Sequence, residues 1–99
     1  MSAWQATVID AHDNVAVVLQ SILPGEDVVV KLAEGTITVT AIDAVALCHK
    51  IALVDLRPGD AVIKYGECIG EAVAPIVRGA CVHVHNLRSR RARAAPLST

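Results

Sequence analysis

Two histidines, His83 and His85, stand two residues apart in Val82-His83-Val84-His85-Asn86. On an extended strand, residues i and i+2 project from one face, so both imidazoles would aim at one metal ion or one anionic ligand. Two histidines do not complete a metal site, and a third ligand would have to come from elsewhere in the chain. The plainer alternative is a pair of polar residues on a solvent-facing strand. Asn86 follows directly and has the amide to orient an imidazole or bind a hydroxyl. A second polar group, His49-Lys50, opens the apolar run Ile51-Ala52-Leu53, and Lys64-Tyr65 sets a cation beside a phenol. Cys48, Cys68 and Cys81 stand singly, without Cys-x-x-Cys spacing, and read as small core residues. A cluster of Cys48, Cys81 and His83 is conceivable, but no metal-site spacing supports it. His12 falls in a loop.

The elements that must position these groups read as short strands. Trp4 to Ile9 and Val15 to Leu19 flank Asp10-Ala11-His12-Asp13-Asn14, whose Asp and Asn bond their own backbone, so a β-hairpin is expected. Pro24-Gly25 makes a second turn and leads into the strand Asp27 to Leu32. Thr36 to Ile42 alternates threonines with Ile37, Val39 and Ala41, the pattern of a half-buried strand. Asp43 to Leu47 reads as a connector or a short helical turn. Two further turn-and-strand units follow: Pro58-Gly59-Asp60 before Ala61 to Tyr65, and Arg78-Gly79 before Ala80 to His85. The recurrence of a turn glycine a few residues before Val is common turn chemistry, not a solenoid repeat, because the spacings are unequal. Gly66 and Gly70 mark bends or close backbone approaches. No stretch keeps a helical period over three turns. The expected fold is all-β, with at most a short helical turn.

Composition bounds the rest. Ninety-nine residues make one domain, and a 54% apolar content drawn from Val, Ala, Ile and Leu suits strands. No apolar run approaches the roughly 20 residues of a membrane span, and Met-Ser-Ala-Trp-Gln lacks the pattern of a secretory signal. Three unpaired cysteines favour a reduced, cytoplasmic setting. Residues 1–86 carry ten acids and five Lys or Arg, a net of −5. Residues 87–99 add Arg88, Arg90, Arg91 and Arg93 with no acid, a net of +4. A solvated basic tail over residues 91–99, disordered at its end, is expected ahead of a nucleic-acid contact. Gly-x-Gly-x-x-Gly, a Walker phosphate loop, His-Glu-x-x-His and Gly-x-Ser-x-Gly are all absent.

Taken together, Cys48-His49-Lys50-Ile51-Ala52-Leu53, Asp55-Leu56, Gly59-Asp60, Val62-Ile63-Lys64-Tyr65-Gly66, Ile69-Gly70 and Val82-His83-Val84-His85-Asn86 resemble the SAF domain of sugar-acid dehydratases. That family takes in altronate and galactarate dehydratases and sulfolactate sulfo-lyase. In its usual pattern a glycine precedes the His-Lys pair, where this chain has Cys48. The resemblance covers about residues 3–90. It implies a β-clip fold of bent hairpins over residues 1–90. It also implies the role of a small subunit, acting with a large catalytic subunit on a sugar acid or related hydroxy acid. A divalent metal, iron by the family's pattern, would be held mainly by that partner. On this resemblance His83 and His49 are expected in catalysis, with Lys50, Lys64, His85 and Asn86 at the substrate. Any metal contact from this chain would come from His83 and His85. The competing expectation is a non-catalytic SAF-type module that grips a carbohydrate or a protein. Exposed strand edges leave a homo-oligomer open.

Overall fold

The computed structural model describes residues 4–89, and these form an all-β domain with no helix. Valine, isoleucine and threonine runs build the strands, because branched side chains pack well on a pleated surface. They are β1 (Ala6–Thr7), β2 (Val15–Val18), β3 (Asp27–Lys31), β4 (Thr36–Thr40), β5 (Lys50–Ala52), β6 (Ala61–Lys64), β7 (Glu67–Ala72), β8 (Cys81–Val82) and β9 (Leu87–Ser89). A six-stranded sheet runs β4-β3-β1-β2-β5-β8, and a three-stranded sheet runs β6-β7-β9. The expected β1–β2 hairpin is present, with Ala6 opposite Val18. The short bent hairpins match the β-clip architecture. The basic tail expected over residues 91–99 lies outside the described residues.

Four corners of one design hold the strands. Each is a four-residue turn in which the fourth N–H donates to the first carbonyl: Glu26 to Leu23, His49 to Ala46, Asp60 to Arg57 and Ala80 to Val77. The third residue takes a positive φ in every case, 89° at Gly25, 72° at Cys48, 94° at Gly59 and 91° at Gly79. A positive φ at that position is the type II turn, which normally demands glycine. The corners are joined in pairs. Ile22 bridges Val45 and Leu56 bridges Ile76, each through two backbone hydrogen bonds. The third-residue N–H of each corner also donates to the residue just before its mate's segment: Gly25 to Ala41, Cys48 to Val18, Gly59 to Ala72 and Gly79 to Ala52. Three of these turns are marked by Gly25, Gly59 and Gly79 in the sequence. The fourth, at Leu47-Cys48, carries no such mark, and residues 43–47 prove to be its connector with no helical turn.

Two apolar clusters fill the interior. The first gathers Val18, Ile22, Val28, Val30, Val39, Val45 and Ile51, and the second Val15, Ala52, Leu56, Val62, Ile76 and Val82. β2 and β5 supply alternate residues to both, so they are the wall between the cores. Asn14 splices the sheets: its Nδ2 donates to the Ala61 carbonyl and its Oδ1 accepts the Ile63 N–H.

The structure corrects the sequence reading at the C-terminal strand. An extended Ala80 to His85 was expected, but β8 stops at Val82, and His83 to Asn86 close a tight turn through the Asn86 N–H to the His83 carbonyl. The cause is Asn86, buried at 8% exposure. Its Oδ1 accepts the His83 N–H and its Nδ2 donates to the Cys81 carbonyl, which outcompetes continued strand pairing. Strands β7 and β9 were not foreseen, since Gly70 interrupts the pattern of one. Gly70 is needed there because a Cβ would strike the Arg88 carbonyl of β9.

Candidate functional site

His49 is the last residue of the second corner and the entry to β5. Its backbone is locked on β2, because its carbonyl accepts the Val18 N–H while Cys48 donates to the Val18 carbonyl. β5 pairs with β8 as Lys50–Val82 and Ile51–Cys81. Each pair sums to 132, so the next step outward sets His49 opposite His83. The two rings stack there, with centroids 4.0 Å apart and planes 16° apart. The pair that matters is therefore His49 with His83 across two strands. His83 and His85 share a turn in place of the strand face expected for them. Asn86 fixes the backbone under His83 and spends both ends of its amide on main chain.

Corner chemistry explains why His49 is free to stack. At the same position of the first and third corners stand Glu26 and Asp60, whose carboxylates accept the N–H of the turn's own first residue, Leu23 and Arg57, at 2.8 Å. Histidine at the second corner turns that side chain away from turn closure and toward His83.

Lys50 lies near the stack, and Lys64 lies near Lys50. Lys50, half-buried on β5, has its pKa lowered, first by burial and then by repulsion from Lys64. Lys64 sits over the Tyr65 ring, its Nζ 4.9 Å from the centroid. Partial burial pulls the His83 pKa below the ordinary imidazole value, with repulsion from His49, Lys50 and His85 acting in the same direction. Burial and the nearby Asp43 push the Cys81 thiol up, with Lys50 opposing. Asp43 also accepts the Cys81 N–H at 3.0 Å. The site thus holds a local pair of lysines on a body whose residues 1–86 are net acidic.

Metal binding fits this arrangement poorly. A metal must lie near the plane of each ring at about 2 Å from its nitrogen, and two nearly parallel rings 4.0 Å apart do not aim at one point. Among the described residues no three His, Cys, Asp or Glu side chains converge on a possible ion. None of the described helices could cross a membrane, since there are none.

Sequence reasoning singled out His49, Lys50, Lys64, His83, His85 and Asn86, and the structure gathers the first four with His85 at one end of β5 and β8. It missed the pairing of His49 with His83 and the role of Asp43. Register alone brings residues 34 positions apart together, so no local pattern could have found that pair.

Comparison with known proteins gives a consistent neighbourhood. The family model described as the altronate/galactarate dehydratase SAF domain matches residues 4–90. The altronate dehydratase of Escherichia coli (strain K12) is 47% identical over 81 residues, covering 82% of this chain and 16% of that protein. The altronate dehydratase of Bacillus subtilis (strain 168) is 35% identical over the same shares. The (2R)-sulfolactate sulfo-lyase subunit alpha of Chromohalobacter salexigens is 37% identical over 87 residues, 85% of this chain and 93% of that one. The chain thus spans about a sixth of the altronate dehydratases it matches and nearly the whole of the sulfo-lyase subunit.

Proposed function

We propose a function on the premise that this chain belongs to the altronate/galactarate dehydratase SAF-domain family, a family related to lyases. In this reading it is a small subunit of a lyase that removes water from a sugar acid, or eliminates from a related hydroxy acid. It acts in the cytoplasm with a large subunit that holds most of the catalytic machinery. The likeness to a protein named as a subunit alpha, over 93% of that protein's length, supports the division into subunits.

The observation that carries the reading is the His49–His83 stack at a corner where two sibling turns keep a structural acid. Elimination next to a carboxylate needs a base for the proton and an acid for the leaving group. His83, with its pKa below the ordinary imidazole value, is neutral at pH 7 and free to accept a proton. A proton taken there is stabilised by a substrate anion and opposed by His49, so it is passed on readily. Lys50 and Lys64 draw the substrate carboxylate to the same end of the sheet, and His85 lines its approach. Asn86 holds the turn that presents His83. The divalent metal of the family's pattern, iron, is assigned in this reading to the large subunit; among the described residues of this chain no three ligand side chains converge on an ion.

The test is reconstitution with the large subunit from the same host, assayed on altronate, galactarate and sulfolactate with ferrous iron. His83→Ala and His49→Ala should each abolish turnover while the two subunits still co-purify. Near-normal turnover by His83→Ala would sink the catalytic assignment. If the chain alone binds sugar acid and His83→Ala leaves turnover of the pair intact, the chain is a carbohydrate-binding module instead.

A further inference from the structure

Tyr65 stands where local chemistry disfavours a tyrosine. β6 and β7 close with Lys64 opposite Glu67, so Tyr65-Gly66 is a two-residue loop. Both loop residues have a positive φ, 55° at Tyr65 and 78° at Gly66, which makes a type I′ turn. That turn selects Asn-Gly or Gly-Gly, because a bulky side chain strains a left-handed backbone. Burial does not offset the strain, since Tyr65 is 45% exposed. The tip is held from outside instead. The Gly66 N–H donates to Asp13 Oδ1 at 2.8 Å, and the Asp10 carboxylate lies against the Gly66 Cα. Strain that neighbours hold in place, with no gain to the core, points to a task for the side chain.

The contact that the ring makes identifies that task. Lys64 Nζ lies 4.9 Å from the Tyr65 ring centroid, within range of the attraction between an ammonium and a π face. In a continuing strand the side chains of residues 64 and 65 would point to opposite faces. The positive φ at Tyr65 ends that alternation, and the ring comes to lie beside the side chain that precedes it. After burial, Lys64 is the cation that lowers the Lys50 pKa, so the two ammonium groups lie within each other's field. A free lysine stem turns away from a like charge into water, and the ring face opposes that escape. An ammonium already held in place binds an anion with less loss of side-chain freedom.

We propose that Tyr65 is a positioning residue: its ring holds the Lys64 ammonium near Lys50, where the two lysines receive the carboxylate of the substrate. The phenol hydroxyl takes no part, since the attraction comes from the ring face. Tyr65 acts only through Lys64. The inference rests on the lyase reading and adds to it the residue that sets how tightly the acid is held.

The experiment uses the full chain, alone and paired with the large subunit, with Tyr65→Asn, Tyr65→Phe, Lys64→Ala and the double variant Lys64→Ala, Tyr65→Asn. Tyr65→Asn supplies the residue that the turn prefers and removes the ring. It should raise KM for the acid about two- to fivefold, the factor that an exposed cation–π contact is worth, and leave kcat nearly unchanged. Its Tm should equal or exceed that of the native chain, because the strain is relieved. Tyr65→Phe should keep the native KM. On top of Lys64→Ala, Tyr65→Asn should change KM no further. In the chain alone, the ring current should move the Lys64 Hε protons upfield in the native protein and in Tyr65→Phe, but not in Tyr65→Asn. A KM unmoved by Tyr65→Asn would overturn the inference, as would Lys64 protons without the ring-current shift. So would a further rise in KM on top of Lys64→Ala, or a Tm that falls in Tyr65→Asn, which would make the ring a structural part of the hairpin. A native pair without turnover overturns the lyase reading and this inference with it, whereas an active pair indifferent to Tyr65→Asn overturns this inference alone.

Discussion

Cys48 carries a left-handed backbone, with φ at 72°, which costs an L-residue about 1–2 kcal/mol relative to glycine. Glycine would relieve that cost but lose about 0.5–1 kcal/mol to the greater freedom of its unfolded chain. Cys48→Gly should therefore be more stable by about 0.5–1 kcal/mol, a rise of roughly 2–8 °C in Tm, checked by thermal and urea unfolding. A loss of stability would mean that the thiol makes a compensating contact. His83 makes a pH prediction of definite sign. Its folded pKa is depressed below 6.5, so the unfolded chain binds more protons between the folded value and 6.5. Stability therefore rises with pH through that window and is lost as pH falls below 6.5. Urea midpoints measured from pH 7.5 to 5 should show this slope in the native chain and a flatter one in His83→Asn, and the His83 ring protons should titrate with a midpoint below 6.5.

Corners and strands set the tolerance of the frame. Gly25 and Gly79 hold nearly equal angles, 89° and 91°, in sibling turns. A Cβ at Gly25 meets open space, whereas at Gly79 it would strike the Thr40 carbonyl. Gly25→Ala should cost about 0.5–1 kcal/mol, the left-handed backbone cost less the freedom that glycine gives up on folding. Gly79→Ala should cost clearly more, read as a larger drop in the urea midpoint, and equal losses would refute the clash. The same elements show how much was legible beforehand. Glycine marked three corners because its residue type announces a positive φ, while Cys48 hid the fourth. The alternation of Val82 to His85 imitates a strand, and only the buried Asn86 amide, bonding backward to Cys81 and His83, turns it. β9 was invisible because Leu87-Arg88-Ser89 has no period of its own and pairs through Gly70. The residues of the site were found by type, but the stack that unites them depends on strand register, which a local pattern does not encode.

At the scale of the molecule, the two cores share β2 and β5 and should melt as one. Trp4 packs with Lys31 at the end of β3 in the six-stranded sheet, and Tyr65 sits at the tip of the three-stranded one, so each sheet has its own fluorophore. Their urea transitions should coincide, and Ile51→Ala should move both together by about 2–5 kcal/mol. Separate midpoints would show two folding units. The paired corners carry a further consequence. Corners one and three keep the acids that close their own turns, while corners two and four, ending in His49 and Ala80, lack them. Those two acid-free corners feed β5 and β8, the strands that meet at the stacked rings. The plan is thus built twice, with one member of each pair closed by its own acid and the other without that bond. A change of side chain at position 49 or 80 therefore leaves the acid-to-backbone bonds that close corners one and three in place, so the stack can be altered apart from those closures.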